Sequence, residues 1–206
     1  MSKRNKWEKP KKELCNILTR IGAIQFGIFN LADDKLSPYY IDLRVIPSFP
    51  EAFAEVEKLF HQVAVEELDL KDVKRIAGIP TAGMPFASTL AFSLSKPFLY
   101  VRRETSRGRQ RRVEGILNPG DAVLLIDDLI TTGKTMLAAA DAIRSEGGVV
   151  KDAIVLIDRQ EGGGAALEAQ GIRLHYFIRM TEAARILYDT GAIDKEQLSD
   201  ILKQIT

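Results

Sequence analysis

Residues 121–148, DAVLLIDDLITTGKTMLAAADAIRSEGG, decide how the rest of the chain reads. The run 122–126 is short, apolar and rich in Val, Leu and Ile, which is the pattern of a strand buried on both faces of a parallel sheet. It ends in two adjacent carboxylates, Asp127 and Asp128. A turn of small and hydroxyl residues follows, Thr131-Thr132-Gly133-Lys134-Thr135. Met136, Leu137, Ala140 and Ile143 then recur at helical spacing, and Gly147-Gly148 closes the helix. A buried strand thus delivers two acids and a Gly/Thr turn to a helix start, the edge at which open parallel sheets bind ligands.

Helix N-terminal amides beside hydroxyls, with a glycine that permits close approach, make a cradle for a phosphate. Asp127 and Asp128 cannot bind that phosphate directly; they accept hydrogen bonds from hydroxyls or hold a hydrated cation nearby. A ligand with a phosphate at one end and vicinal hydroxyls beside it is a phosphorylated sugar. The competing reading is a Walker-type nucleotide loop, because Gly-Lys-Thr is present. That motif requires a glycine five residues before Gly133, where this chain has Asp128, so the reading fails.

The surroundings suit an ordinary soluble globular protein. A chain of 206 residues with 46% hydrophobic content and a formal charge of +1 can bury a sizeable core and is neither a polyelectrolyte nor a tail. Its one cysteine, Cys15, rules out an internal disulfide framework and fits a reducing, cytoplasmic setting. His61 and His175 are too few for a multi-histidine metal site and read as structural. The N-terminal SKRNKWEKPKK has no apolar run behind it, so no secretory signal is expected, and no stretch reaches the apolar length of a membrane span.

In chain order, residues 13–21 read as an amphipathic helix ended by Gly22, and 23–31 and 39–46 as strands joined by the polar segment 32–38. A second helix covers 51–67. From residue 74 strands and helices alternate: strand 75–79, helix 85–94, strand 98–101, the opening strand and helix, strand 153–157, helix 165–170 and strand 173–178. Two helices, near 181–189 and 194–204, finish the chain. Such alternation implies an α/β fold with a parallel sheet covered by helices on both faces.

Two other segments belong to the same rim. Gly78-Ile79-Pro80-Thr81-Ala82-Gly83-Met84-Pro85 is a turn at a strand's C-terminal end whose amides are placed to meet a diphosphate, although a plain tight turn reads equally well from sequence. Residues 102–112, RRETSRGRQRR, hold six arginines and no apolar residue, so they form a solvated loop. One reading is a cationic lid that closes over a diphosphate leaving group. An RNA-contacting loop and a purely solvating loop are the other readings. Overall neutrality and the lack of aromatic residues in the loop weigh against nucleic acid.

Residues 123–135, four apolar residues, two acids, two more residues and Thr-Thr-Gly-Lys-Thr, resemble the phosphoribosyl-diphosphate (PRPP) motif of type I phosphoribosyltransferases. Several further stretches resemble orotate phosphoribosyltransferases. They are Phe26-Gly27 with Ser37-Pro38-Tyr39-Tyr40-Ile41-Asp42-Leu43-Arg44, Arg102-Arg103-Glu104-Thr105 with Val113-Glu114-Gly115, Asn118-Pro119-Gly120, Asp152-Ala153-Ile154-Val155-Leu156-Ile157-Asp158-Arg159, and Gly171-Ile172-Arg173-Leu174-His175. The likeness covers about residues 20–190 and includes the form fused to a decarboxylase in animals.

The resemblance implies the type I phosphoribosyltransferase fold as a single domain, 1–206, with a small hood formed mainly by about 1–46 and a PRPP-binding core at about 70–180. It implies reaction of orotate with PRPP, with Mg²⁺ held mainly through PRPP and not directly by the protein, in a homodimer with shared active sites. Asp127 and Asp128 grip the ribose, with Asp128 also counted as catalytic. Thr131, Thr132, Gly133, Lys134 and Thr135 hold the 5′-phosphate, and Leu129 and Ile130 complete that stretch. Arg102 and Arg103 are the expected catalytic lid residues on PRPP, Arg103 acting across the dimer. Orotate falls to Thr131, Arg159 and the backbone of Tyr40 and Ile41. For Arg159, an ion pair with Glu161 at the surface is the alternative. The lid departs from the family pattern: Arg103 and Ser106 stand where lysines are usual, Arg107 directly precedes Gly108 with no His or Tyr, and Ala32 replaces a hood lysine near Lys35. A paralogue for another base and a non-catalytic nucleotide sensor that binds RNA remain as alternatives.

Overall fold

The computed structural model describes residues 3–30, 36–102 and 112–205, with side chains from Trp7 onward. The chain divides into two compact units, Met1–Val56 with Ile178–Thr206, and Glu57–Phe177.

The second unit is built on the sheet that the apolar runs foretell. Its strands are β3 (Arg75–Gly78), β4 (Phe98–Val101), β5 (Val113–Glu114), β6 (Ala122–Ile130), β7 (Val149–Asp158) and β8 (Arg173–Arg179), in the order β5-β4-β3-β6-β7-β8. β3 pairs in parallel with β4 and β6, and β6 in parallel with β7, whereas the two-residue β5 runs antiparallel to β4. Helices α3 (Gly83–Ser93), α4 (Lys134–Ser145) and α5 (Gly163–Glu168) make the crossovers. Val123, Leu124, Leu125 and Ile126 are all buried, as a strand covered on both faces requires. Leu125, Ile130, Met136, Ala140, Ile143, Val155 and Leu167 share one core, and each fully buried Leu or Ile there contributes about 1.5–3 kcal/mol. Phe60 of α2 (Pro50–Glu67) stacks on Phe86 of α3 with ring centroids 5.2 Å apart.

The strand order carries the functional consequence. After β3 the chain adds β4 on one side, then returns to place β6 on the other side of β3 and continues through β7 and β8. The order therefore reverses between β3 and β6. The connections leaving the two strands diverge there and open a crevice at their C-terminal ends.

The first unit contains α1 (Lys3–Arg20), an antiparallel hairpin of β1 (Ile24–Asn30) and β2 (Leu36–Ile41), a 3-10 helix (Leu43–Ser48), the start of α2, and the last two helices, α6 (Met180–Asp189) and α7 (Lys195–Ile205). Leu14, Leu18, Tyr39, Leu43, Ile46, Leu187 and Ile201 are buried. Lys11 Nζ meets Glu182 Oε1 at 2.7 Å, tying α1 to α6, and Ser37 Oγ donates to Gln204 Oε1 at 3.0 Å, tying β2 to α7. Cys15 is buried, which pushes its thiol pKa up to about 12 and makes it unreactive.

Several boundaries differ from the sequence expectation, among them the start of β7, which begins at Val149 and not at residue 153. α1 begins at Lys3, ahead of residue 13, because its charged first half carries no apolar period to read. The expected strand 39–46 stops at Ile41; the Asp42 carboxylate then accepts from the Arg44 amide at 3.1 Å and caps the 3-10 helix. β5 is too short to leave a pattern. β6 continues through both aspartates to Ile130, so Asp127 and Asp128 lie inside the strand and not beyond its end.

Candidate phosphoribosyl site

The crevice at the β3/β6 reversal is a pocket of about 170 Å³. Pro80, Thr81 and Ala82 line it from the turn after β3, and residues 127–136 line it from the end of β6 and the start of α4. Asp127, Asp128, Leu129, Ile130, Thr131, Thr132, Gly133, Lys134 and Thr135 are thus brought together on one wall, and the turn expected to face a diphosphate forms the other. The Pro80–Thr81 peptide bond is cis.

Backbone geometry gives this wall the form of an anion cradle. Gly133 is the N-cap of α4, with φ +78°, and supplies no capping side chain. Its conformation favours glycine, and an added Cβ would meet Leu167 Cδ1 at 2.9 Å. The first helical amides lack carbonyls one turn back, and here they belong to residues that line the pocket. Asp128 lines the pocket and is only 9% exposed. Each aspartate is oriented by its neighbour's amide: Asp128 N donates to Asp127 Oδ1 at 2.9 Å, and Leu129 N to Asp128 Oδ1 at 2.8 Å.

Two close approaches hold the walls together. A Cβ on Gly83 would stand 2.6 Å from the Ile126 carbonyl oxygen and 2.8 Å from Asp127 Cα, so only glycine lets α3 start against β6. A Cβ on Gly163 would stand 2.5 Å from the Thr131 carbonyl oxygen, the same oxygen that accepts from Gly163 N at 2.9 Å. Sequence reasoning passed over Gly163; the run Gly162-Gly163-Gly164 was the available signal.

Arg159 sits beside this wall. β6 and β7 pair through Ile130 and Asp158, and Arg159 N donates to the Ile130 carbonyl at 3.0 Å, next to Thr131. Its guanidinium pairs with Glu161, Nη2 to Oε1 at 2.8 Å, and the residue is only 7% exposed. The ion pair weighed from sequence therefore forms, but it is buried and not at the surface.

Arg102, Tyr40 and Ile41 are not among the residues that line this pocket. Arg102 Nη1 meets Glu114 Oε1 at 3.1 Å, and its amide donates to the Arg112 carbonyl at 2.9 Å. Arg112 N and Val113 N both donate to Glu146 Oε1, at 3.0 and 2.9 Å, which anchors the far side of the arginine run to the end of α4. Arg103 and the rest of 103–111 lie outside the described residues, as do Ala32 and Lys35. Tyr40 and Ile41 belong to β2 in the first unit, where Tyr40 Oη accepts from Arg44 Nη2 at 3.1 Å. Arg44 also holds the Asp42 carboxyl below its usual pKa. Elsewhere, His175 bonds to Asp152 at 2.8 Å, a structural role.

Comparison with known proteins matches residues 46–168 to the phosphoribosyl transferase domain family. The orotate phosphoribosyltransferase of Cenarchaeum symbiosum is 40% identical over 185 residues, 89% of this chain and 90% of that protein. The chain belongs to the orotate phosphoribosyltransferase family. The crystal structure of orotate phosphoribosyltransferase from Aeropyrum pernix superposes with a TM-score of 0.78 at 34% identity, covering 88% of this chain and 99% of that one. The uridine 5′-monophosphate synthase of Caenorhabditis elegans is 34% identical over 95% of this chain, which spans 39% of that longer protein. The α/β fold of this chain is accordingly the type I phosphoribosyltransferase fold. Among the described residues, no helix is long and apolar enough to cross a membrane.

Proposed function

We propose that this protein joins orotate to PRPP, giving orotidine 5′-monophosphate and diphosphate in pyrimidine (UMP) biosynthesis. As a member of its family it is a pentosyltransferase. The observation that carries the assignment to this pocket is the meeting of two carboxylates, a glycine-capped helix start and a second turn at one sheet reversal. That set matches the three parts of PRPP: ribose hydroxyls, 5′-phosphate and diphosphate.

The reaction is substitution at an anomeric carbon that becomes cation-like as diphosphate leaves. The protein's contribution is to position two anions, stabilise the departing charge and keep water out. Asp127 and Asp128 accept from the ribose hydroxyls and place negative charge beside the developing cation. Residues 131–135 hold the 5′-phosphate through amides and hydroxyls. Arg102 and Arg103 neutralise the leaving diphosphate from the lid, Arg103 across a homodimer. Arg159 pairs with the orotate carboxylate, with Thr131 and the backbone of Tyr40 and Ile41 on the base.

The donor set also fits Mg²⁺. That ion keeps several waters and would be held mainly through the oxygens of PRPP and not directly by the protein, with Asp127 and Asp128 at the pocket as acceptors for its bound waters. When bound with PRPP it supplies charge neutralisation of the diphosphate. The exposed Phe92, Ile116 and Val65 of the second unit give apolar surface for a second copy, in support of the dimer. The lone cysteine supports a cytoplasmic setting.

The test is steady-state turnover of orotate with PRPP and Mg²⁺, followed by loss of orotate absorbance, with Arg103→Ala beside the unaltered protein. Turnover that falls by about 100-fold or more in the variant is expected. No turnover in the unaltered protein, with PRPP binding still measurable by calorimetry, overturns the assignment.

A further inference from the structure

We infer that Glu161 is a positioning residue: it occupies the Arg159 guanidinium until a ligand carboxylate replaces it, and so sets how strongly the site takes a carboxylate-bearing base. This inference rests on the orotate reading above.

The loop that carries the pair is fixed at both ends to the phosphate turn. Arg159 N donates to the Ile130 carbonyl at 3.0 Å and Gly163 N to the Thr131 carbonyl at 2.9 Å. Within it, Gln160 N donates to Asp158 Oδ1 at 2.8 Å, and Gln160 and Gly162 both take positive φ, +61° and +91°. The backbone between residues 158 and 163 is therefore a tight, internally bonded turn. What remains adjustable is the pair of side chains, Arg159 and Glu161, whose charged atoms meet at 2.8 Å.

Both side chains are largely withdrawn from water, 9% and 17% exposed. A buried ion pair is a weak source of stability, because desolvation of two charges offsets their attraction. At the rim of a ligand pocket the same pair has a different consequence. A guanidinium that must receive a carboxylate from orotate already holds one from its own chain. Free Arg159 never stands as a bare buried cation, and an incoming base gains only the difference between its carboxylate and that of Glu161. A base without a carboxylate offers nothing to exchange and leaves the internal pair in place. The pair thereby discriminates against such bases while moderating affinity for orotate.

Removing the Glu161 charge takes away one carboxylate partner of the buried Arg159 guanidinium, and a ligand carboxylate then stands in its place. In Glu161→Gln, the KM for orotate is expected to fall about three- to tenfold while the KM for PRPP stays in place. The melting temperature of the free variant is expected to drop, and saturating orotate to raise it by more than in the unaltered protein. Glu161→Asp keeps the charge on a shorter stem and is expected to give an orotate KM between the two. An orotate KM that is unchanged or raised in Glu161→Gln, with normal turnover in the unaltered protein, overturns this inference alone. Should Glu161→Gln fail to fold, Glu161→Asp decides by the same sign: a lower orotate KM supports the inference and an equal or higher one overturns it. Absence of orotate turnover in the unaltered protein overturns the functional reading and this inference with it.

Discussion

On the proposed function, two adjoining regions of the rim would meet anions by opposite means. The turn after β6 offers main-chain amides, shaped by Gly133 at φ +78° and braced by Gly163. The loop after β7 offers one side chain, Arg159, already paired with Glu161. Amides placed by a helix start cannot swing away or be neutralised, so the first region is set before the ligand arrives. A guanidinium can exchange partners, so the second is held in readiness by its own chain. If the proposed function holds, the comparison teaches that a phosphate common to many substrates is met by backbone, whereas the base that distinguishes the substrate is met by an exchangeable side-chain contact.

The sharpest way to break this contrast is to strike the shared brace. Gly163→Ala places a methyl 2.5 Å from the Thr131 carbonyl oxygen, so the phosphate turn and the Arg159 loop must part. Calorimetry and denaturant melts should show PRPP affinity and stability reduced together, each by about 2–4 kcal/mol. If both stay within error of the unaltered protein, the turn is not rigid and the contrast dissolves.

Arg159→Ala tests the side-chain region by itself. It removes the orotate partner and strands the Glu161 carboxylate, so kcat/KM for orotate should drop by about 2–3 kcal/mol in barrier terms. PRPP affinity should hold within about twofold, because amides carry it. Parallel loss of both ligands would show the regions to be one.

Glu57 provides a control away from both. Burial raises its pKa to about 7, and the contact with Thr89 opposes only part of that shift. The folded state thus favours the neutral acid. Its contribution is fully present below the unfolded value of 4.5 and is lost as pH rises through about 7. Glu57→Gln should stabilise the protein by about 1–2 kcal/mol at pH 8, after allowance for partial exposure, and by much less at pH 4. Melting curves at the two pH values check the sign, and orotate and PRPP constants should not move.

The smallest effect is expected at Lys134. Its side chain is exposed at the first position of α4 while its amide lines the pocket. Lys134→Ala should weaken PRPP by under about 1 kcal/mol, with a shallower salt dependence, because the charge is solvated and the amide remains. A loss as large as that of Gly163→Ala would move phosphate recognition from backbone to side chain.

What could be read without coordinates follows the same division. Apolar runs and their spacing determined the parallel sheet, the helices around it and the place of the Gly/Thr turn at a helix start. Burial on two faces restricts composition, and a turn built from amides requires small residues at fixed positions. The sequence was silent on α1 before residue 13, where charges carry no period, and misleading at 39–46, where the Asp42 cap competes with the strand. Only tertiary structure decided that β6 runs on through Asp127 and Asp128, that Gly83 and Gly163 are where the backbones touch, and that Arg159 and Glu161 are withdrawn from water as a pair. Burial of a charge and contact between distant backbones depend on strand order and register, which local residue patterns do not encode.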